Sequence, residues 1–129
     1  MGKLIIKLHG HHPVPWGQNQ KENKKTDKWR QRIAEKCKLL QSEVQRIESQ
    51  TTFNVEIVFY LKNNKSDLDN LAKPVIDTLF HPSHTQVKDL SFTGVLFPNI
   101  NDKHVIHLEL WKRFVRDTKN EGVDILISW

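Results

Sequence analysis

Hydrophobic and polar residues alternate in four stretches of the chain, and this two-residue period is typical of β-strands with one buried face. The clearest stretch runs from Phe53 to Leu61, where every second residue is hydrophobic. In the third, Ile106, Leu108 and Leu110 form a clearly apolar face. The predicted strands cover residues 3–9, 53–61, 103–111 and about 123–129.

Two further stretches repeat hydrophobic residues at the three- and four-residue spacing of an α-helix. The first is predicted to begin at Thr26 or Asp27, either of which can cap a helix, and to end near Ser49. Its apolar stripe includes Trp29 and Cys37, which are expected in the core. Lysines and arginines cover its other faces, Arg30 among them.

The second helical stretch runs from near Asp69 to Phe80. It contains Pro74, and proline fits only the first turn of a helix. The regular helix is therefore expected to start close to Lys73 or to bend there. Asp77 lies one turn further on and is expected to be a helix-surface or dimer-contact residue.

Two segments are rich in residues that disfavour regular structure. Residues 10–26 are predicted to form a basic loop, and residues 81–101 a loop with a short strand at Thr93–Phe97. The role of the second segment is left open.

The chain of 129 residues fits one domain, and its formal net charge of +5 favours a polyanionic ligand. The single cysteine excludes an intrachain disulfide and a cysteine-rich zinc site, which suits a reducing cytoplasm. Neither a signal peptide nor a membrane span is predicted, because no leader or long apolar run is present.

Candidate chemistry is concentrated after the second predicted strand, where Asp67, Asp69 and Lys73 stand close together. In an extended backbone the two carboxylates would lie on the same side, and such hard oxygen ligands select Mg²⁺ or Mn²⁺ rather than zinc. Asp102 heads the third predicted strand and would complete the metal site. Lys73, one helical turn after Asp69, would bind a phosphate or stabilise developing negative charge. The alternative for the aspartate pair is a helix N-cap with an acidic neighbour.

The segment from Asp67 to Leu79 resembles the signature of the RusA family of Holliday junction resolvases, D-x-D-N-x-x-K followed by an apolar helix that ends D-x-L. The order of the predicted elements agrees over roughly residues 3–113. The connection ahead of Asp102 is longer than is usual in the family, and the acidic cluster at this point is reduced to one residue. Asp89, within the longer connection, is therefore an alternative third metal ligand.

The resemblance implies an α+β fold in which a small mixed sheet packs with two main helices, and residues 1–129 form a single RusA-like endonuclease domain. It also implies a homodimer that binds branched DNA in the form of four-way junctions and nicks two strands symmetrically. The reaction would use Mg²⁺, or Mn²⁺ in its place, and no small-molecule cofactor. Asp67, Asp69 and Asp102 carry over as metal ligands and Lys73 as the catalytic lysine. A nuclease for other branched or single-stranded DNA, and a non-catalytic nucleic-acid-binding protein with the same fold, remain as alternatives.

Basic side chains in the first half of the chain are the predicted contacts to the DNA backbone. The histidines are expected to lie on the surface or to contact phosphate rather than to bind zinc. The predicted nucleic-acid-binding residues are Lys21, Lys24, Lys25, Lys28, Arg32 and Lys73.

Overall fold

Strands and helices alternate in the first half of the chain, and strands follow in the second half, in a computed structural model that describes residues 2–44, 47–82 and 92–129. Short 3₁₀ turns at Gln41–Val44, Asp102–His104 and Thr118–Asn120 connect some of them. The elements are β1 (Lys3–His9), α1 (Gln20–Leu40), β2 (Phe53–Leu61), α2 (Leu68–Leu79), β3 (Phe80–His81), β4 (Phe97–Asn101), β5 (Val105–Phe114) and β6 (Gly122–Ser128).

The main sheet has the strand order β1-β6-β2-β5. β6 runs antiparallel to both of its neighbours, whereas β2 and β5 are parallel. Alternation in β1, β2 and β6 buries one face of the sheet, which packs with apolar residues of α1 and α2 in one core. The fold is therefore mixed α+β with a small sheet and two helices, as predicted.

The beginning of α1 differs from the prediction. Asn19 is the N-cap, and its side chain accepts a hydrogen bond of 2.9 Å from the backbone N–H of Glu22. The Glu22 carboxylate in turn accepts a hydrogen bond of 2.6 Å from the backbone N–H of Gln18. This reciprocal capping starts the helix six residues before Thr26, which is buried inside it.

The end of α1 also differs, because the helix stops at Leu40 rather than near Ser49 and continues as a 3₁₀ turn. The earlier start places Lys21, Lys24 and Lys25 on the helix instead of in a loop. The predicted stripe is confirmed, since Trp29 and Cys37 are both buried, and burial raises the pKa of the Cys37 thiol to about 12.

Helix α2 passes through Pro74 without ending there, so the expected start near Lys73 is wrong. A proline inside a helix costs about 3 kcal/mol, because its nitrogen cannot donate to the preceding turn. Burial of Leu71, Val75 and Leu79 on the core side offsets this cost. The hydroxyl of Thr78 donates a hydrogen bond of 2.7 Å to the carbonyl of Pro74.

Beyond α2, a short parallel pair of strands forms between β3 and β4. β4 lies at Phe97–Asn101, later than the strand predicted at Thr93–Phe97. Gly94 has a φ of +60° and donates its N–H to the carbonyl of Asp77, so the turn before β4 is tied to α2. Asp89 and the rest of residues 83–91 lie outside the described residues.

Strand β5 forms one edge of the main sheet and is more exposed than its pattern predicts. Leu108 is paired with Val55 and therefore points to the same face as the core, yet it is exposed. Ile106, at the register shift near the start of β5, is 66% exposed, and Trp111 is 51% exposed on the opposite face from Leu108. The apolar face is present, but the chain itself does not bury it.

In the ranges that the structure covers, neither helix has the length and apolar character that spanning a bilayer requires.

Candidate active site

The predicted pair of aspartates lies at the entrance of α2. Asp67 is the N-cap residue with an extended backbone, and its carbonyl accepts a hydrogen bond of 3.1 Å from the N–H of Leu71. Asp69 already belongs to the first helical turn, so the two carboxylates do not share one extended strand. Among the described residues the Asp67 side chain caps no N–H of α2, so the side-chain capping of the N-cap alternative is not observed.

One face of α2 carries a row of charged side chains. Asp69, Lys73 and Asp77 follow one another at four-residue intervals, which places them on the same side of the helix, one turn apart. The first two are exposed, and Asp77 is 3% exposed. Asp77 is therefore a buried residue and not the helix-surface residue that was expected.

The buried carboxylate of Asp77 contacts the loop between β1 and α1. Its Oδ2 accepts a hydrogen bond of 3.2 Å from the indole N–H of Trp16. Burial raises the pKa of Asp77, and this is counteracted by the bond from Trp16 and by the charges of Arg30 and Lys73. The negative charge of Asp102 raises the pKa further.

Asp102 opens the 3₁₀ turn that leads into β5, at the head of a strand as predicted. The side chain of Asn101 accepts a hydrogen bond of 3.0 Å from the N–H of Lys103 and caps this turn. The charges of Asp102 and Lys73 both act on the pKa of Asp77, so these three side chains influence one another electrostatically. Asp77 was not among the predicted site residues, although its spacing from Asp69 and Lys73 was a usable signal that the three share one helix face.

The charge of Arg30, on α1, also acts on Asp77. The sequence position of Arg30 suggested a surface residue, but the structure buries it. Its side chain is 1% exposed, and its Nε donates a hydrogen bond of 3.1 Å to the hydroxyl of Thr78. Its Nη2 donates to the carbonyl of Phe92 at 2.9 Å and to the hydroxyl of Thr93 at 2.7 Å. The guanidinium also lies 4.8 Å from the centre of the Trp16 ring.

The carboxylates of the site fit Mg²⁺ or Mn²⁺ by donor type, since both ions prefer hard oxygen ligands. Over the described residues, however, no three His, Cys, Asp or Glu side chains converge as a metal-binding group. Asp69 and Asp77 are eight residues apart on α2, or about 12 Å along the axis. Mg²⁺ is commonly held by only one or two carboxylates together with substrate phosphates, so the donor set remains suited to it.

The predicted nucleic-acid-binding side chains are exposed in the structure. Lys25, Lys28 and Arg32 lie at intervals of three and four residues on α1 and share one face of it. Lys73 lies apart from them on α2.

Comparison with known protein families finds no family that matches this chain, and a search of curated proteins finds no matching entry either.

Proposed function

We propose that this protein is a metal-dependent, structure-specific DNA endonuclease that resolves four-way junctions by paired nicks. The observation that carries the proposal is the row of Asp69, Lys73 and Asp77 on one face of α2, with Asp102 close enough to influence Asp77. Carboxylates can hold a catalytic metal ion, and an amine can stabilise the charge on a phosphate, so this set of groups suits the hydrolysis of a phosphodiester. The resemblance of residues 67–79 to the RusA signature supports the same reading.

Each side chain has a defined part in the proposed reaction. Asp67, Asp69 and Asp102 would hold Mg²⁺ or Mn²⁺, which when bound neutralises phosphate charge and activates water. The exposed ammonium of Lys73 would bind the scissile phosphate and stabilise the negative charge that develops on it. Asp77 would act as a positioning residue, because its charge is close to that of Lys73 and its carboxylate is itself fixed by Trp16.

Paired nicks require two active sites, and we infer a homodimer formed through the open edge of β5. Two copies of β5 can pair in antiparallel fashion about a twofold axis. With Trp111 on the axis, Glu109 faces Arg113 of the partner subunit, and Leu108 faces Phe114 of the partner subunit. The pairing therefore places opposite charges against each other and apolar side chains against each other. The exposed apolar residues of β5 would then contact the partner subunit.

A cleavage assay on four-way junctions, flaps and linear duplexes tests the proposal. Wild type should cut junctions in paired fashion with Mg²⁺ or Mn²⁺. Asp69→Asn should abolish cleavage and leave junction binding nearly intact, because it removes a metal ligand without making the surface more negative. Asp117→Asn is the matched control, since Asp117 is exposed and lies outside the acidic row; it should cut like wild type.

Two other results would assign another function. Cleavage of flaps without cleavage of junctions would indicate a nuclease for other branched or single-stranded DNA. Junction binding without any cleavage in Mn²⁺ would indicate a non-catalytic DNA-binding protein.

A further inference from the structure

A surface pocket of about 250 Å³ lies between the segment that follows β1 and one face of α1. None of the signature residues of α2 lines it, so it is distinct from the acidic row. The volume is below the range of about 300–1,000 Å³ that is usual for drug-sized ligands, so the pocket fits a chemical group rather than a whole cofactor. The lining residues are Gly10, His11, His12, Val14, Lys25, Lys28, Trp29 and Arg32.

The charged side chains that line the pocket are all cationic. Lys25, Lys28 and Arg32 contribute three positive charges from one helix face, and no carboxylate is among the described residues that line it. Arg32 Nη1 lies 3.5 Å from Nε2 of His11. Burial, together with the charge of Arg32, lowers the pKa of His11. Glu35 lies in an adjoining depression, outside this set.

One buried residue, Glu121, fixes the side of the pocket formed by residues 10–12 through both its backbone and its side chain. The backbone carbonyl of Glu121 accepts hydrogen bonds from the N–H groups of Gly10 and His11, at 2.8 and 3.3 Å. Its side chain is paired with Nδ1 of His12 at 2.5 Å and accepts a bond of 3.2 Å from the N–H of Lys62. The two histidines are thus held in place opposite α1 before any ligand arrives.

Trp29 is one of the residues that line the pocket, and it is 2% exposed. Its indole N–H is buried and has no hydrogen-bond partner in the part of the chain that the structure describes. An oxygen-rich anion in the pocket would be attracted by the surrounding cations. Because Trp29 lines the pocket, its indole resonance should report on a ligand bound there.

We propose that this pocket binds a phosphate group of the nucleic-acid backbone, at a position separate from the site of cleavage. The inference deepens the proposed function, because it assigns a specific contact to the same DNA substrate. Lys25, Lys28 and Arg32 supply positive charge, and the guanidinium of Arg32 can also donate directional hydrogen bonds to phosphate oxygens. The loop that lines the pocket reaches Trp16 four residues after His12, and Trp16 contacts Asp77, so a phosphate held here lies on the loop that supports the acidic row.

Two-dimensional NMR of the four tryptophan indole N–H groups tests this site directly. Trp29→Phe assigns the relevant resonance, and a short DNA duplex and inorganic phosphate serve as probes. We expect the Trp29 resonance to shift saturably with the duplex. In Arg32→Gln, duplex binding should weaken about tenfold, the loss typical of one charge-assisted hydrogen bond. Lys38→Gln is the matched control, because Lys38 is an exposed α1 lysine that does not line the pocket, and it should bind nearly as wild type does.

The outcomes separate this inference from the proposed function. A Trp29 resonance that stays fixed while the duplex saturates the protein would overturn the phosphate site, even if the protein cuts junctions. Equal binding by Arg32→Gln and Lys38→Gln would overturn it as well, as would a resonance that shifts with inorganic phosphate but not with the duplex. A duplex-dependent shift in a protein that never cleaves DNA would support the pocket and reject the nuclease.

Discussion

The indole N–H of Trp16 donates a hydrogen bond of 3.2 Å to the buried carboxylate of Asp77. This bond joins the loop between β1 and α1 to the helix that carries Asp69 and Lys73. Because Arg30 lies against the ring of Trp16 and also bonds Thr78, the loop and both helices meet at one point. A disturbance of the loop would therefore be transmitted to the charged row of α2.

Asp77→Asn retains an acceptor for Trp16 but removes a desolvated charge. Since burial raises the folded-state pKa of Asp77 above its unfolded value, the stability that the carboxyl group contributes is complete below the unfolded pKa. It is lost as the pH rises through the folded-state pKa. We expect the free energy of unfolding of Asp77→Asn, relative to wild type, to increase from about pH 3.5 to about pH 7. Urea unfolding at both pH values measures this difference.

Trp16→Phe provides the opposite test of the same contact. It removes the hydrogen bond that counteracts the rise of the Asp77 pKa, so the stability of this variant should fall more steeply with rising pH than that of wild type. If Asp77→Asn and wild type unfold in parallel at both pH values, Asp77 does not carry a desolvation penalty.

Lys73→Met removes the ammonium from the acidic row while keeping most of the side-chain length. We expect the single-turnover cleavage rate on a four-way junction to fall about 100-fold or more, because the charge acts on the transition state. Lys65→Met is the control, since Lys65 is also exposed but precedes the signature. A similar loss of rate in both variants would show that general surface charge, rather than the position of Lys73, matters.

The strands of the main sheet were predictable from the sequence because the burial of most of them is one-sided, whereas β3 and β4 were not placed correctly. In β2, which has a neighbour on each side, alternation gave both ends, Phe53 and Leu61, as observed. The start of α1 was missed for a local reason. Prolines, glycine and asparagines suggested a loop, but Asn19 and Glu22 stand three residues apart, as the reciprocal capping requires.

The surroundings of the candidate site were less predictable, because its contacts join distant parts of the chain. Arg30 looks like any other basic residue of α1, and its partners Thr78 and Phe92 lie 48 and 62 positions away. Pairings at such separations leave no periodic signal in the sequence. Asp67, Asp69, Lys73 and Asp102 were recognised by their residue types and spacing, and their roles in binding metal and DNA stay predictions.

Arg30→Met should destabilise the fold strongly. The substitution leaves acceptors on Phe92 and the hydroxyls of Thr78 and Thr93 without their donor, and we expect a loss of about 2–4 kcal/mol in the free energy of unfolding. Arg32→Met, the same change at an exposed position of the same helix, should cost about 0.5 kcal/mol or less. Denaturant unfolding of both variants measures the difference, and equal losses would contradict the role of Arg30.

Trp111→Glu should convert the proposed dimer into a monomer. In the proposed pairing Trp111 lies on the twofold axis, so the substitution places two carboxylates opposite each other and removes two exposed aromatic rings from the interface. Light scattering coupled to size-exclusion chromatography measures the mass.

Ile5→Glu is the matched control for this change, because Ile5 is 53% exposed on β1, the other edge strand of the same sheet. It should leave the dimer intact, since the proposed pairing uses the β5 edge and not β1. A wild-type protein that stays monomeric at the concentrations used for cleavage would reject the β5 interface. Dissociation caused equally by both substitutions would place the interface elsewhere. If the interface is correct, Trp111→Glu should still bind a junction but make single nicks, since each active site then acts alone.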